Sequence, residues 1–205
     1  GGDTTCSKIG VISLTLLGSH GKKIVARNSL KPGHELWVQG DLGASYLGLS
    51  FLLNSTCKTL DSNSRALVQE HVNPKIKFGL GSYLSNLNVP CGGMDMSDGL
   101  GQSLFHLSEA SKVSLTIEEN LIPISKLVLN STQNFDRMTL TEIALWGGEE
   151  FKMIFSLPYG TDLSDQIISK WNLSKIGYVE KGQGCYIKLV NNEKSALKLK
   201  GFSHF

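Results

Sequence analysis

Apolar and polar positions along the 205-residue chain switch between two periods. Alternation near two marks strands, and a spacing of three to four marks helices. The stretch "KIGVISLTLLGSHG" (8–21) predicts a strand ending in a glycine-bounded turn, and "KPGHELWVQG" (31–40) a turn followed by a short strand. Leu47, Leu49, Phe51 and Leu52 predict a helix over 43–54. "SNSRALVQEHV" (62–72) opens on a capping residue, Ser62, and predicts a short helix stopped before Pro74. A helix over 76–87 is weakened by Gly79 and Gly81. "SLFHLSEASK" (103–112) reads as helix and "VSLTIEEN" (113–120) as strand. "LTEIALWGG" (140–148) predicts a helix with a glycine stop, "EFKMIFSLP" (150–158) a strand closed by Pro158, and "LSDQIISKWN" (163–172) a helix. "SKIGYVEKG" and "CYIKLVN" read as a late strand pair. The alternation of helices and strands predicts an α/β (or α+β) class.

Composition narrows the function. A net charge of +2 gives no broad electrostatic footprint for nucleic acid. No apolar run approaches the roughly 20 residues of a membrane span, and no signal peptide is evident. Cys6, Cys57, Cys91 and Cys185 form no CxxC pair, so neither a structural zinc site nor a disulfide framework is expected. The sequons at Asn54, Asn130 and Asn172 read as chance, and a cytoplasmic location is expected. Glycine, at 22 residues against 5 prolines, points to functional turns rather than disorder.

Three of those turns carry acids. "DMSDGLGQSL" (95–104) sets Asp95 and Asp98 around Ser97, just ahead of a helix; "GGDTT" (1–5) and "WGGEEF" (146–151) are the others. Mg²⁺ takes hard oxygen ligands, commonly one or two carboxylates completed by phosphate oxygens and water. Glycines let backbone approach a phosphate, and a helix N-terminus favours negative charge. Each turn alone is most simply a solvated turn or a cap. Together they favour a metal-and-phosphate site. A calcium EF-hand loop fails: counting from Asp95, its glycine position holds Leu100 and its glutamate position His106. "GSHGKK" (18–23) lacks the spacing and hydroxyl of a P-loop. "GGEEF" resembles the signature turn of diguanylate cyclases, which sits on a hairpin in that family, but their opening D-x-L-T-G-L-x-N-R stretch is missing.

One family accommodates all three turns. "GGDTT" (1–5), "ARNSLKPGHELWVQGDLGASYLGL" (26–49), "HVNP" (71–74), "MDMSDGL" (94–100), "GGEEF" (147–151) and "GFSHF" (201–205), in this order, resemble thiamine-monophosphate kinase, within the aminoimidazole ribonucleotide synthetase-like superfamily. The resemblance implies that superfamily's C-terminal fold, a mixed sheet flanked by helices, preceded by the last strand of an N-terminal domain. Residues 1–27 would then be the end of an N-terminal ATP-binding domain and 28–205 the C-terminal domain. It implies ATP contacts at Gly2, Asp3, Arg27 and Ser97, Mg²⁺ ligands at Asp3, Asp95 and Asp98, and thiamine-substrate contacts at Glu149 and Phe202. Three positions depart from the family pattern: Glu150 stands for Asp, Lys77 for Arg, and His34 for an acid.

The implied reaction moves the γ-phosphoryl group of ATP to the phosphate of thiamine monophosphate, giving thiamine diphosphate. Its nucleophile is already anionic, so no catalytic base is expected. The resemblance further implies several Mg²⁺ ions and a homodimer formed through the N-terminal domain. A chain opening on a site motif is expected to be a fragment inactive alone. Selenophosphate synthetase and hydrogenase-maturation proteins share the superfamily, and a non-catalytic nucleotide-binding module is a further alternative.

Overall fold

The computed structural model describes residues 15, 17, 23–53, 60–131 and 138–200. The predicted strand over 8–21 falls almost wholly outside them, as do Gly2, Asp3 and Phe202.

Seven strands form one mixed sheet: β1 (His34–Gln39), β2 (Gly92–Met96), β3 (Ser114–Glu118), β4 (Lys152–Pro158), β5 (Leu173–Glu180), β6 (Gly184–Lys188) and β7 (Lys194–Ala196). Their order is β2-β4-β1-β5-β3-β6-β7, antiparallel except for the parallel β3–β6 pair. The helices are α1 (Ala44–Leu53), α2 (Ser62–Val72), α3 (Leu80–Asn86), α4 (Leu100–Ser111), α5 (Lys126–Leu129), α6 (Leu140–Trp146) and α7 (Asp165–Trp171). This mixed sheet flanked by helices bears out the expected class.

Strand β4 is covered on both faces and buries apolar side chains on each, whereas the middle strand β5 alternates buried residues with the exposed Lys175. On one face Leu36, Val38, Met96 and Ile154 pack with Leu100, Leu104 and Leu107 of α4 and with Leu145 of α6. On the other, Phe155, Leu157 and Leu173 pack with Leu80 and Leu84 of α3 and Trp171 of α7. Strand β4 serves both faces, Ile154 facing α4 and its neighbour Phe155 facing α3. A third cluster joins α1, α2, α5 and α6 through Leu47, Phe51, Leu67, Val128 and Ile143.

Three expectations need correction. Strands β5 and β6 do not pair: β3 lies between them, bonded to β5 antiparallel and to β6 parallel. Thr116 and Ile117 of β3 are wholly buried, and a strand so placed needs both edges bonded. Helix α3 begins only at Leu80, because Gly79, at φ 94°, is its left-handed N-cap. The cap of α2 is Asp61, not Ser62; its carboxylate accepts from the Ser64 amide at 2.7 Å.

Candidate functional site

Strand β2 changes character along its length. Gly92 and Gly93 are buried, Met96 is anchored in the core against α4, and Asp95 is exposed. Asp95 lies opposite Met153 of β4. The chain then turns through Ser97, half-buried, and Asp98, exposed, before Gly99 admits it to α4. Gly99 has φ +95°, and a Cβ there would stand 2.9 Å from the Leu145 carbonyl. Only glycine meets both demands.

A second turn lies against this one. Helix α6 ends on Gly147, and residues 148–151 carry the chain into β4. The Glu149 amide donates to the Ser97 carbonyl at 2.6 Å, and the Phe151 amide to the Met96 carbonyl at 3.0 Å. A Cβ on Gly148 would be 2.9 Å from the same Ser97 oxygen. The glycines read in sequence as giving phosphate its approach are thus spent on protein: Gly99 and Gly148 let the two turns seat on each other. Their meeting brings Ser97, Asp98 and Glu149 to one end of the sheet, next to Asp95 near the end of β2.

Arg27 is not brought to that end. It is exposed, in a 3-10 turn (Arg27–Ser29), and its carbonyl accepts from the Ser111 hydroxyl at 2.6 Å, at the C-terminal end of α4. Asp98 precedes the opposite end of that twelve-residue helix, about 18 Å away along its axis.

Asp95, Asp98 and Glu149 enter no ion pair among the described residues. Nor, among those residues, do three or more His, Cys, Asp or Glu side chains converge as a metal cage. Two carboxylates outside any ion pair among the described residues, Asp95 near the end of β2 and Asp98 on the turn after it, suit Mg²⁺, which takes few protein ligands and completes its shell with phosphate and water. Nucleophile chemistry fits less well. Burial pushes the Cys91 thiol up to about 12, which leaves it protonated and inert near neutrality. His34, 5% exposed, shares a hydrogen with Ser156 Oγ at 3.0 Å. Burial first and the Lys31 charge second hold it below its usual range.

Glu150, the second acid of the WGGEEF turn and a departure from the family pattern, has no ligand role in the sequence reading. In the structure it is 5% exposed and accepts from the Gly43 amide at 2.6 Å, while its other oxygen pairs with Lys152 at 2.5 Å. The lysine also donates to the Asp41 carbonyl. Beside this group opens a cavity of ≈ 210 Å³ lined by Gln39, Asp41, Lys77, Ser125, Lys152 and Trp171. No sequence signal joins Gly43 to a residue 107 positions away.

No protein-family model matches the chain. It is 32% identical to the thiamine-monophosphate kinase of Bacillus subtilis (strain 168) over 213 residues, covering all of the chain and 63% of that protein. Among solved structures, AaThiL complexed with AMPPCP and TMP is similar at 26% identity with a TM-score of 0.73, over 90% of the chain and 55% of that protein. The hydrogenase-maturation protein HypE of E. coli shares the fold, at 16% identity and a TM-score of 0.59, over 85% of the chain and 52% of that protein. The chain spans about six tenths of the length of the curated relatives it matches. The resemblance carried by six short motifs therefore extends along the whole chain.

Proposed function

We infer, from a chain related along its whole length to the thiamine-monophosphate kinases, that the intact protein transfers the γ-phosphoryl group of ATP to thiamine monophosphate, forming thiamine diphosphate and ADP. The observation that carries this reading is the seating of the 147–151 turn on the 96–99 turn, with Asp95, Asp98 and Glu149 outside any ion pair among the described residues.

Each residue has a role in bringing two polyanions together. Asp95 and Asp98, with Asp3, would hold Mg²⁺, which when bound offsets phosphate charge. Ser97, with Gly2 and Asp3, contacts ATP. Arg27, at the far end of α4, faces a different part of the nucleotide from Asp98, and its guanidinium adds positive charge there. Glu149 faces the cationic thiazolium or the aminopyrimidine of the acceptor. Phe202 stacks on a ring, a contact worth about 0.5–2 kcal/mol with a cationic partner. The acceptor phosphate is already an anion, so positioning and charge compensation replace proton abstraction.

The division at residues 27 and 28, the dimer and the cytoplasmic location belong to the same proposal. Among the described residues no helix is long and apolar enough to cross a membrane. The cyclase alternative loses its structural basis, since the GGEEF turn links helix α6 to β4 rather than two strands of a hairpin. HypE shares the fold, which by itself carries no activity.

A phosphoryl-acceptor screen on the intact protein tests the reading. With ATP and Mg²⁺, thiamine monophosphate is phosphorylated and selenide is not, and chelation of the metal stops the reaction. A requirement for GTP, or ATP binding without transfer to thiamine monophosphate, would contradict it.

A further inference from the structure

We infer that Glu150 and Lys152 are a positioning pair that aims Glu149 at the acceptor and fixes the wall of the adjoining cavity; this rests on the reading of Glu149 as the acceptor-facing carboxylate. The Glu150 side chain is 3% exposed and both its oxygens are engaged, one by the Gly43 amide at 2.6 Å and one by Lys152 at 2.5 Å. Lys152 reaches on to the Asp41 carbonyl. Its stem lies against Gly40, where a Cβ would be 3.0 Å from Lys152 Cδ. One carboxylate and one ammonium thus fasten the 147–151 turn to the 40–43 loop. Lys152, Gly40 and Asp41 are themselves cavity lining.

The fastening is made where the backbone needs it. Glu149 and Phe151, on either side of Glu150, have φ of 62° and 49°. Such conformations are unfavourable for residues with a Cβ and persist only when the surroundings hold them. Glu150 turned inward leaves its exposed neighbour Glu149 turned outward. A buried carboxylate left without its cation would be strongly destabilising, so the pair stands or falls together. In this chain a glutamate spans the gap to Gly43 that anchors the turn, and Lys152 supplies the matching charge.

The test uses the intact protein with Glu149→Gln, Glu150→Gln, Lys152→Met made together with Glu150→Gln, and the double variant Glu149→Gln/Glu150→Gln. KM for thiamine monophosphate, KM for MgATP and kcat are measured for each. Glu150→Gln is expected to raise the acceptor KM by about tenfold or more, the scale of a displaced binding group. It leaves the MgATP KM within about twofold, a split that general loss of structure would not produce. Because Glu150 acts through Glu149, the Glu149→Gln/Glu150→Gln variant should be no worse than Glu149→Gln alone. Lys152→Met made together with Glu150→Gln leaves no buried charge unpaired and gives the same readout if Glu150→Gln alone does not fold. Additive losses, or equal rises in both KM values, would overturn the inference. A wild-type protein that does not phosphorylate thiamine monophosphate would overturn the reading beneath it, whereas an active wild type with an unaffected Glu150→Gln overturns the pair alone.

Discussion

Glu149 and Glu150 are adjacent in sequence and opposite in environment, one exposed at the meeting of two turns, the other sealed against Gly43 and Lys152. That contrast rests on glycines which admit no side chain. Gly99→Ala forces a Cβ to within 2.9 Å of the Leu145 carbonyl at a φ of +95°. It should cost about 1–3 kcal/mol of stability, read by urea denaturation; a cost near zero would mean the turns are not seated as described. His34 is a second residue with a measurable signature. Burial and Lys31 lower its pKa from 6.5, so near that pH the unfolded chain binds a proton that the folded one refuses. Stability should therefore rise with pH from the lowered folded value up to about 6.5, with no contribution from this group above it. His34→Gln should flatten that part of the profile, and an unchanged slope between pH 5 and 7 would exclude His34 as its source.

Helix α6 delivers the chain to the site and is held at its start by a reciprocal cap: the Glu142 amide donates to Thr139 Oγ1 at 3.2 Å, and the Thr139 amide to Glu142 at 3.0 Å. Thr139→Ala should cost about 0.5–2 kcal/mol, seen as a lower denaturation midpoint with unchanged slope. At this scale much was legible in the sequence. The stretch 150–158, closed by Pro158, becomes β4, and the apolar spacing of 62–72 becomes α2 with its predicted bounds. Strand β4 starts two residues late because Glu149 and Phe151 take up positive φ, which periodicity does not register. The insertion of β3 between β5 and β6 was likewise invisible, because strand order is decided by burial across the whole sheet. The three acidic turns could be read from composition and spacing. Which of them touch could not, since Ser97 finds Glu149 through hydrogen bonds between segments about fifty residues apart.

On the scale of the molecule, the sheet is a platform with helices on both faces, and the 96–99 and 147–151 turns emerge together at one end. The chain covers about six tenths of the length of the curated relatives it matches, and the proposed activity is that of the intact protein. In the proposed function the carboxylate of Asp98 serves phosphoryl transfer and not the fold. Asp98 is exposed and enters no ion pair among the described residues, so Asp98→Asn should leave the unfolding free energy within about 0.5 kcal/mol of wild type. The decisive measurement is the rate of thiamine diphosphate formation from ATP and thiamine monophosphate by the intact protein and by this variant. Product is expected to form one for one with ADP in the wild type, and the rate to fall about a hundredfold or more in Asp98→Asn. A wild type that makes no thiamine diphosphate, or a folded Asp98→Asn that makes it at full rate, would contradict this role of Asp98.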